Sequence, residues 1–204
     1  MAWYPENPNL GQTLQTDSGI GVSVDKGYIA HLTVAAAAAT VASTTGIHAA
    51  VTDTGVEVVV TTGITQPSVP RALSATAGGT AGDIKAIAVI IAGTNYAGAA
   101  ITETLPVFTV DTAGTVQGSK AFKTVTSITI PAHDGTGATT AIGFNEKLGL
   151  PDKLAVNTVL YAYHNLVREG TAPTVTVSST AVESNTADLN TALNSSQVDL
   201  YYIV

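Results

Sequence analysis

An all-β fold is the class this sequence predicts, an antiparallel β-sandwich or barrel-like domain (or domains) carrying an extended N-terminal arm. Three observations predict it. Short runs of Thr, Val and Ile recur along the chain, and branching at Cβ already restricts these residues toward extended backbone. Gly, Asn, Asp and Pro punctuate the runs at intervals of roughly 8–12 residues, as hairpin-linked strands require. Within several runs apolar residues alternate with Thr, Ser or Lys, the mark of a strand with one wet face. The stretch 82–151 shows all three features in concentrated form.

The elements follow in order. Residues 1–18 read as an extended arm, because Pro5, Asn7, Pro8 and Asn9 oppose regular structure. Trp3 and Tyr4 supply large amphipathic anchors there, and Trp3, Tyr4, Pro5 and Leu10 are the candidate partner-binding residues. Two readings of the arm stand: it docks onto a partner, or Trp3 folds back on its own domain. Residues 19–66 form a small β region. Segments 21–25 and 28–34 are expected to pair around Asp25-Lys26-Gly27, and 47–51 with 56–62 around Asp53-Thr54-Gly55. Between them the alanine run 34–42 leaves a loop, a short helical turn and an edge strand open. The proline-bounded segment 65–70, TQPSVP, marks the boundary to a main β-sandwich domain over 67–204. In that domain strands are expected at 71–76, 84–92, 100–110, 120–130, 138–144, 158–167 and 174–178. The chain closes on VDLYYIV at 198–204, too apolar for a free end and so expected to pair into a sheet, while 185–194 reads as a polar loop. Two short turns, Gly79-Thr80-Ala81-Gly82 and Gly135-Thr136-Gly137, echo each other, which we read as recurrent turn chemistry.

Composition bounds the function classes. The chain has 204 residues, enough for its own core, but aromatics are 5% and much of the apolar content is Ala and Val, which predicts a thin core of short side chains. Charged residues are 11%, under half the roughly 25% of an average domain, so much of the surface is expected to be neutral or covered by other protein. A net charge of −7 argues against nucleic-acid binding, since a phosphate surface needs clustered cations. Lys120 and Lys123 are the closest basic pair, and alternation along one strand would put them on opposite faces. With no cysteine there is neither a disulfide framework nor a thiolate metal site. The first residues, MAWYPENPNLGQ, lack a basic region followed by an apolar one, so no signal peptide is expected. VAAAAATVA is about half the length needed to cross a bilayer, so no membrane partner is expected either.

The catalytic candidates resolve mostly into turns. Asp17-Ser18-Gly19 and Asp53-Thr54-Gly55 have the D-[ST]-G form that aspartic proteases use to bring two carboxylates together. Both fall within one short span, before a second lobe could form, and Gln15 and Thr16 replace the apolar residues that precede that triplet. A subtilisin-like reading of Asp17 fails for want of His-Gly and of a glycine-rich serine turn. His31, His48, His133 and His164 show no spacing that puts two imidazoles on one face. His133-Asp134 lies in the turn PAHDGTG, without the carboxylates a calcium loop needs. GGTAGDIK at 78–85 lacks the Lys-Ser/Thr ending of a phosphate-binding loop. No enzyme activity, cofactor or metal is expected.

Ile101-Thr102-Glu103-Thr104, then Gly118-Ser119-Lys120-Ala121-Phe122-Lys123-Thr124-Val125-Thr126-Ser127-Ile128, then Asp134 to Thr139 with Ile142-Gly143 and Lys147 to Pro151, form an ordered series. It resembles a pattern in structural proteins of tailed bacteriophages, over roughly residues 70–204, with Glu183-Ser184-Asn185-Thr186 and 198–204 similar to the end of such proteins. The resemblance implies a virion component assembled in the host cytoplasm, foremost a capsid decoration or head-stabilising protein. The alternatives are a tail, neck or fibre-like receptor-binding protein and, last, an aspartic-type peptidase. Its implied partners are the major capsid protein or other virion proteins, and further copies of itself. A homo-oligomer is expected, with a trimer as its symmetry.

Overall fold

The computed structural model describes residues 13–15, 17, 19, 21–23 and 28–204. Strand occupies 48% of the chain and helix 3%, about twice the strand share of an average domain, so the fold is all-β. In chain order the strands are β1 (Thr13–Gln15), β2 (Gly21–Ser23), β3 (Ile29–Val34), β4 (Ser43–Thr52) and β5 (Val58–Val60). Then come β6 (Arg71–Gly79), β7 (Ile90–Thr94), β8 (Ala100–Thr104), β9 (Gly114–Phe122), β10 (Thr124–Ile130) and β11 (Ala138–Gly149). The last are β12 (Val159–His164), β13 (Val167–Arg168), β14 (Thr174–Thr176), β15 (Thr186–Asp188) and β16 (Val198–Ile203). Short 3-10 turns cover Ala81–Asp83 and Val182–Ser184. Among the described residues no helix is long and apolar enough to cross a membrane.

All pairings between these strands are antiparallel. A four-stranded sheet runs β5-β10-β7-β8, a second four-stranded sheet runs β13-β12-β16-β3, and a larger sheet runs β14-β15-β11-β6-β9 with β4 also on β11. Apolar alternation gives the two four-stranded sheets one dry face each, whereas consecutive residues of β6 and β11 in the large sheet are buried on both faces. Ile91, Ile101, Val125 and Ile128 of the first sheet pack on Ile47, Leu73, Ala75 and Ile142 of the large one, making one core. Val34, Val159, Ala162, Val198, Leu200 and Tyr202 of the second sheet close over Leu148, Leu150 and Ala187, making another. Strand β11 therefore serves both cores, the first through Ala138 and Ile142 and the second through Leu148. The small side chains expected of the core are used for close approach. A Cβ on Gly143 would lie 1.8 Å from the carbonyl oxygen of Ser43, so β4 can approach β11 there only over a glycine.

Several sequence expectations meet corrections here. Residues 43–52 and 58–60 do not form a hairpin, because β4 pairs with β11 and β5 with β10. The reason is Asp53, whose backbone N–H donates to Ala138 O and whose carboxylate accepts from Gly55 N–H and His133 N–H, tying the turn to the chain beside β11. Segments 21–25 and 28–34 are not partners either: β2 pairs with β1, while β3 pairs with β16 along its whole length, from Val34↔Val198 to Ile29↔Ile203. The apolar C-terminal strand is indeed paired, and on both sides, between β12 and β3. Residues 120–130 are two strands with a corner at Lys123, so Lys120 lies on β9 and Lys123 in the bend, rather than on opposite faces of one strand. The strand expected to end at 144 runs on to Gly149, past a register break between Phe144 and Leu148. In the alanine run, the N–H groups of Ala38 and Ala39 both donate to Ala35 O, which selects the short helical turn, and Ala39 is buried.

Asn185 holds the second core shut at its far end. It is 0% exposed, and its Oδ1 accepts from the N–H groups of Leu154 and Ser178. Its Nδ2 donates to the carbonyls of Ser178 and Ala181. Two chain segments, the one at Leu154 and the loop from Ser178 to Ala181, thus satisfy backbone groups on one amide. Asn185→Ala is expected to destabilise the fold by roughly 3–5 kcal/mol, because buried backbone donors and acceptors lose their partner together. Urea denaturation of the variant against the parent measures it.

Candidate functional site

Trp3, Tyr4, Pro5 and Leu10, the candidate partner-binding residues, lie outside the described residues. The two aspartate turns do not converge on each other. Asp17 Oδ1 takes a 2.7 Å bond from Arg168 Nη2, whereas Asp53 is engaged with Gly55 and His133. The histidines are also dispersed in role. His133 is buried, its Nδ1 accepting from Lys85 N–H and its Nε2 paired with Thr140 Oγ1. Burial pushes its pKa below the usual imidazole value, against the pull of Asp53 and Asp134. His48 Nδ1 contacts Ala49 O, and His164 ends β12 buried. Among the described residues no group of three or more His, Asp and Glu side chains converges as metal ligands would.

The motif residues carry structure. Glu103 of β8 is buried, and its Oε1 accepts from Ser119 N–H at 2.7 Å, from Ser119 Oγ at 3.0 Å and from Lys120 N–H at 3.2 Å. These groups sit in a bulge of β9, where the register against β6 slips between Ala72↔Ala121 and Ser74↔Gln117. Gly118 leaves room for that carboxylate, since a Cβ there would fall 2.8 Å from Glu103 Oε2 and 2.9 Å from Leu73 O. In the same way Gly135 and Gly137 make room for Asp83: a Cβ on either would fall 2.4 Å from its carboxylate, which accepts from Gly137 N–H. The two echoing turns are thus neighbours, with Thr80 N–H donating to Gly137 O. We expect Glu103→Gln to cost less than about 1 kcal/mol, because an amide oxygen can still accept these bonds. Glu103→Ala should cost about 2–4 kcal/mol by stranding the bulged N–H groups; thermal or urea unfolding of the two variants separates the outcomes.

What remains outward-facing and chemically distinctive is one face of the sheet β13-β12-β16-β3. Period two places Tyr161 and Tyr163 on the same side of β12, and pairing sets Tyr161 beside Tyr201 and Tyr163 beside Asp199. His31 of β3, opposite Tyr201 in register, stacks on it with centroids 4.2 Å apart and planes 6° from parallel. Tyr163 meets Tyr201 edge-on at 6.0 Å. The Arg168 guanidinium lies over the Tyr161 ring, 4.6 Å from its centroid, and its charge is matched by Asp17. A cavity of about 450 Å³ opens among Ile29, Leu160, Tyr161, Tyr163, Tyr201 and Asp199, with Leu166 at its lip.

Two details make this a built site. Asn165 and Leu166 form the two-residue turn between β12 and β13 at φ 53° and 62°, where a leucine costs roughly 1–2 kcal/mol; Leu166 nevertheless stands 75% exposed. Asp199 is buried and receives hydrogen bonds from Thr33 Oγ1 at 2.8 Å, His31 Nε2 at 2.9 Å and Gln197 Nε2 at 2.8 Å. Burial alone would raise its pKa, and the bonds from Thr33, Gln197 and His31 outweigh burial and hold it below the usual carboxylate value. Sequence reading took LYAYH and DLYYIV only as apolar strands; the signal available was the spacing of Tyr161 and Tyr163, whereas the pairing with Tyr201 and His31 was not legible.

Set against known proteins, the chain matches no family model, no curated protein and no solved structure.

The depressed Asp199 pKa carries a sign. The stabilisation is complete above the unfolded-state value of about 3.9 and is lost as pH falls through the lower folded-state value. Asp199→Asn is therefore expected to lower stability at neutral pH and to flatten the acid limb of a stability–pH curve taken over about pH 2–6.

Proposed function

We propose that this chain is a structural component of a tailed-bacteriophage virion, a capsid decoration or head-stabilising protein that works by attachment rather than catalysis. The observation that carries the reading is a face whose register rows hold no charged residue, with the Lys120 ammonium at its β8 edge, 2.8 Å from Thr102 O. The outward side of β5-β10-β7-β8 presents Val59, Thr129, Ile90 and Thr104 in one register row, Ser127, Ala92 and Thr102 in the next, and Thr124, Thr94 and Ala100 in the third. Val59 and Ile90 are exposed on it. Such a face packs against a shell protein, or against another copy, without stripping water from an ion. The phage-type motif supports the same reading, because its Glu103, Gly118, Gly135 and Gly137 serve the closure of the β scaffold.

The partner is the major capsid protein or another virion protein, joined by further copies of this chain in a homo-oligomer, with a trimer as the expected symmetry. The candidate anchors Trp3, Tyr4, Pro5 and Leu10 belong to the same attachment. The tail or fibre-like receptor-binding reading draws its own support from the aromatic cavity on β12 and β16.

The test places charge on the neutral face. The double variant Thr102→Lys, Thr129→Lys, with folding checked by circular dichroism, should lower occupancy on purified particles at least about tenfold, since unpaired lysines would be desolvated. Unchanged occupancy would remove this face from the attachment. Deleting residues 2–12, which leaves β1 whole, measures the contribution of the anchors separately.

A further inference from the structure

We propose that the cavity lined by Tyr161, Tyr163, Tyr201 and Asp199 binds a neutral hexopyranose, as part of an oligosaccharide. This goes beyond attachment to a particle and holds wherever in a particle the chain sits.

A pyranose ring has apolar C–H faces and a rim of hydroxyls, so it needs flat aromatic surface together with hydrogen-bond groups at the edge. The cavity supplies both. Its volume of about 450 Å³ lies within the range of roughly 300–1,000 Å³ that holds small ligands, and its lining follows their usual chemistry of aromatic and aliphatic walls with a few polar groups. The rings are held before any ligand arrives: His31 is stacked on Tyr201 and the Arg168 guanidinium lies on Tyr161. Little side-chain freedom remains to be lost on binding, which is where affinity for a weakly interacting ligand is usually forfeited.

Charge selects among ligands. Among the described residues, the Arg168 guanidinium is the cation placed over these rings, and it is matched by Asp17 at 2.7 Å. Among the described residues that leaves no unpaired cation at the cavity for a sulfated or carboxylated sugar. Asp199 is the acidic group of the lining. A carboxylate offers about four acceptor sites; Thr33 and His31 take two on Oδ1, and Gln197 takes one on Oδ2. The site left over, on Oδ2, suits a sugar hydroxyl, which is a donor. Leu166 adds an apolar lip in a backbone conformation that leucine seldom adopts.

The experiment is isothermal titration of the full chain with maltohexaose, cellohexaose and chitohexaose, repeated with Tyr201→Ala and Leu166→Gly. Binding of at least one of the three is expected, weakened about tenfold or more by Tyr201→Ala. Leu166→Gly should also weaken binding while leaving the melting temperature unchanged or raised, because glycine accepts the positive φ. That variant keeps the test valid if Tyr201→Ala fails to fold. No heat with any of the three sugars, or binding that Leu166→Gly leaves untouched, would overturn the proposal. So would a protein that dimerises through this face, detected as a mass change in the parent that Leu166→Gly abolishes.

Discussion

The guanidinium of Arg71 is the constraint on which the two cores depend. Arg71 is 0% exposed and opens β6 opposite Leu148, beyond the break at which β11 passes from the first core to the second. Its Nε donates to Asn145 O at 2.8 Å, and its Nη1 to Thr40 O at 3.1 Å and Thr40 Oγ1 at 3.2 Å. The Phe144 ring lies against it at 4.2 Å. The cation thus fills the break, satisfies a carbonyl that the ladder has abandoned, and fastens the loop after the alanine turn. Burial brings its pKa down to about 10, with Glu146 pulling the other way, so it stays charged at neutral pH. None of the ion pairs among the described residues includes it. Its stabilisation comes from carbonyl dipoles and an aromatic face, and removing one partner would leave a buried charge exposed to low dielectric.

This arrangement explains what was legible in the sequence and what was not. The class of fold was legible because Thr, Val and Ile runs and turn residues are local signals. So was the pairing of the C-terminal strand, from its apolar character. The partners of the early strands were not, because β3 joins β16 across most of the chain and β4 joins β11 across nearly half of it. The length of β11 was hidden by Asn145, Glu146 and Lys147, whose polarity ends the apolar alternation; the register break and Arg71 carry the strand past them. For the aromatic cavity, spacing could place Tyr161 beside Tyr163, but Tyr201, His31, Arg168 and Asp17 arrive from distant segments.

The ordered series from Ile101 to Pro151 has a physical meaning of its own. Strands rich in Thr and Val specify their register weakly, since a slip exchanges one β-branched residue for another. Glu103 removes that freedom in β9 by binding one bulge and no other. Asp83 does the same for the turn before β11, through glycines that admit it. Each pin is a carboxylate beside a glycine, which is why the pattern reads as scattered polar residues and Gly within apolar strands.

Such pinning also bears on the uncharged rows of the sheet β5-β10-β7-β8. The chain has few charges, 11% of its residues, and several are spent inside: Arg71, Asp53, Glu103, Glu169 and Asp199 are all buried. Glu169 illustrates the use, its Oε2 accepting from Thr191 N–H to hold the segment after β15. With charge committed to specifying strand register and loop position, the sheet β5-β10-β7-β8 is left to face outward in Thr, Ser, Ala and Val. The charges buried in the scaffold and the uncharged register rows of this sheet are two sides of one distribution of charge.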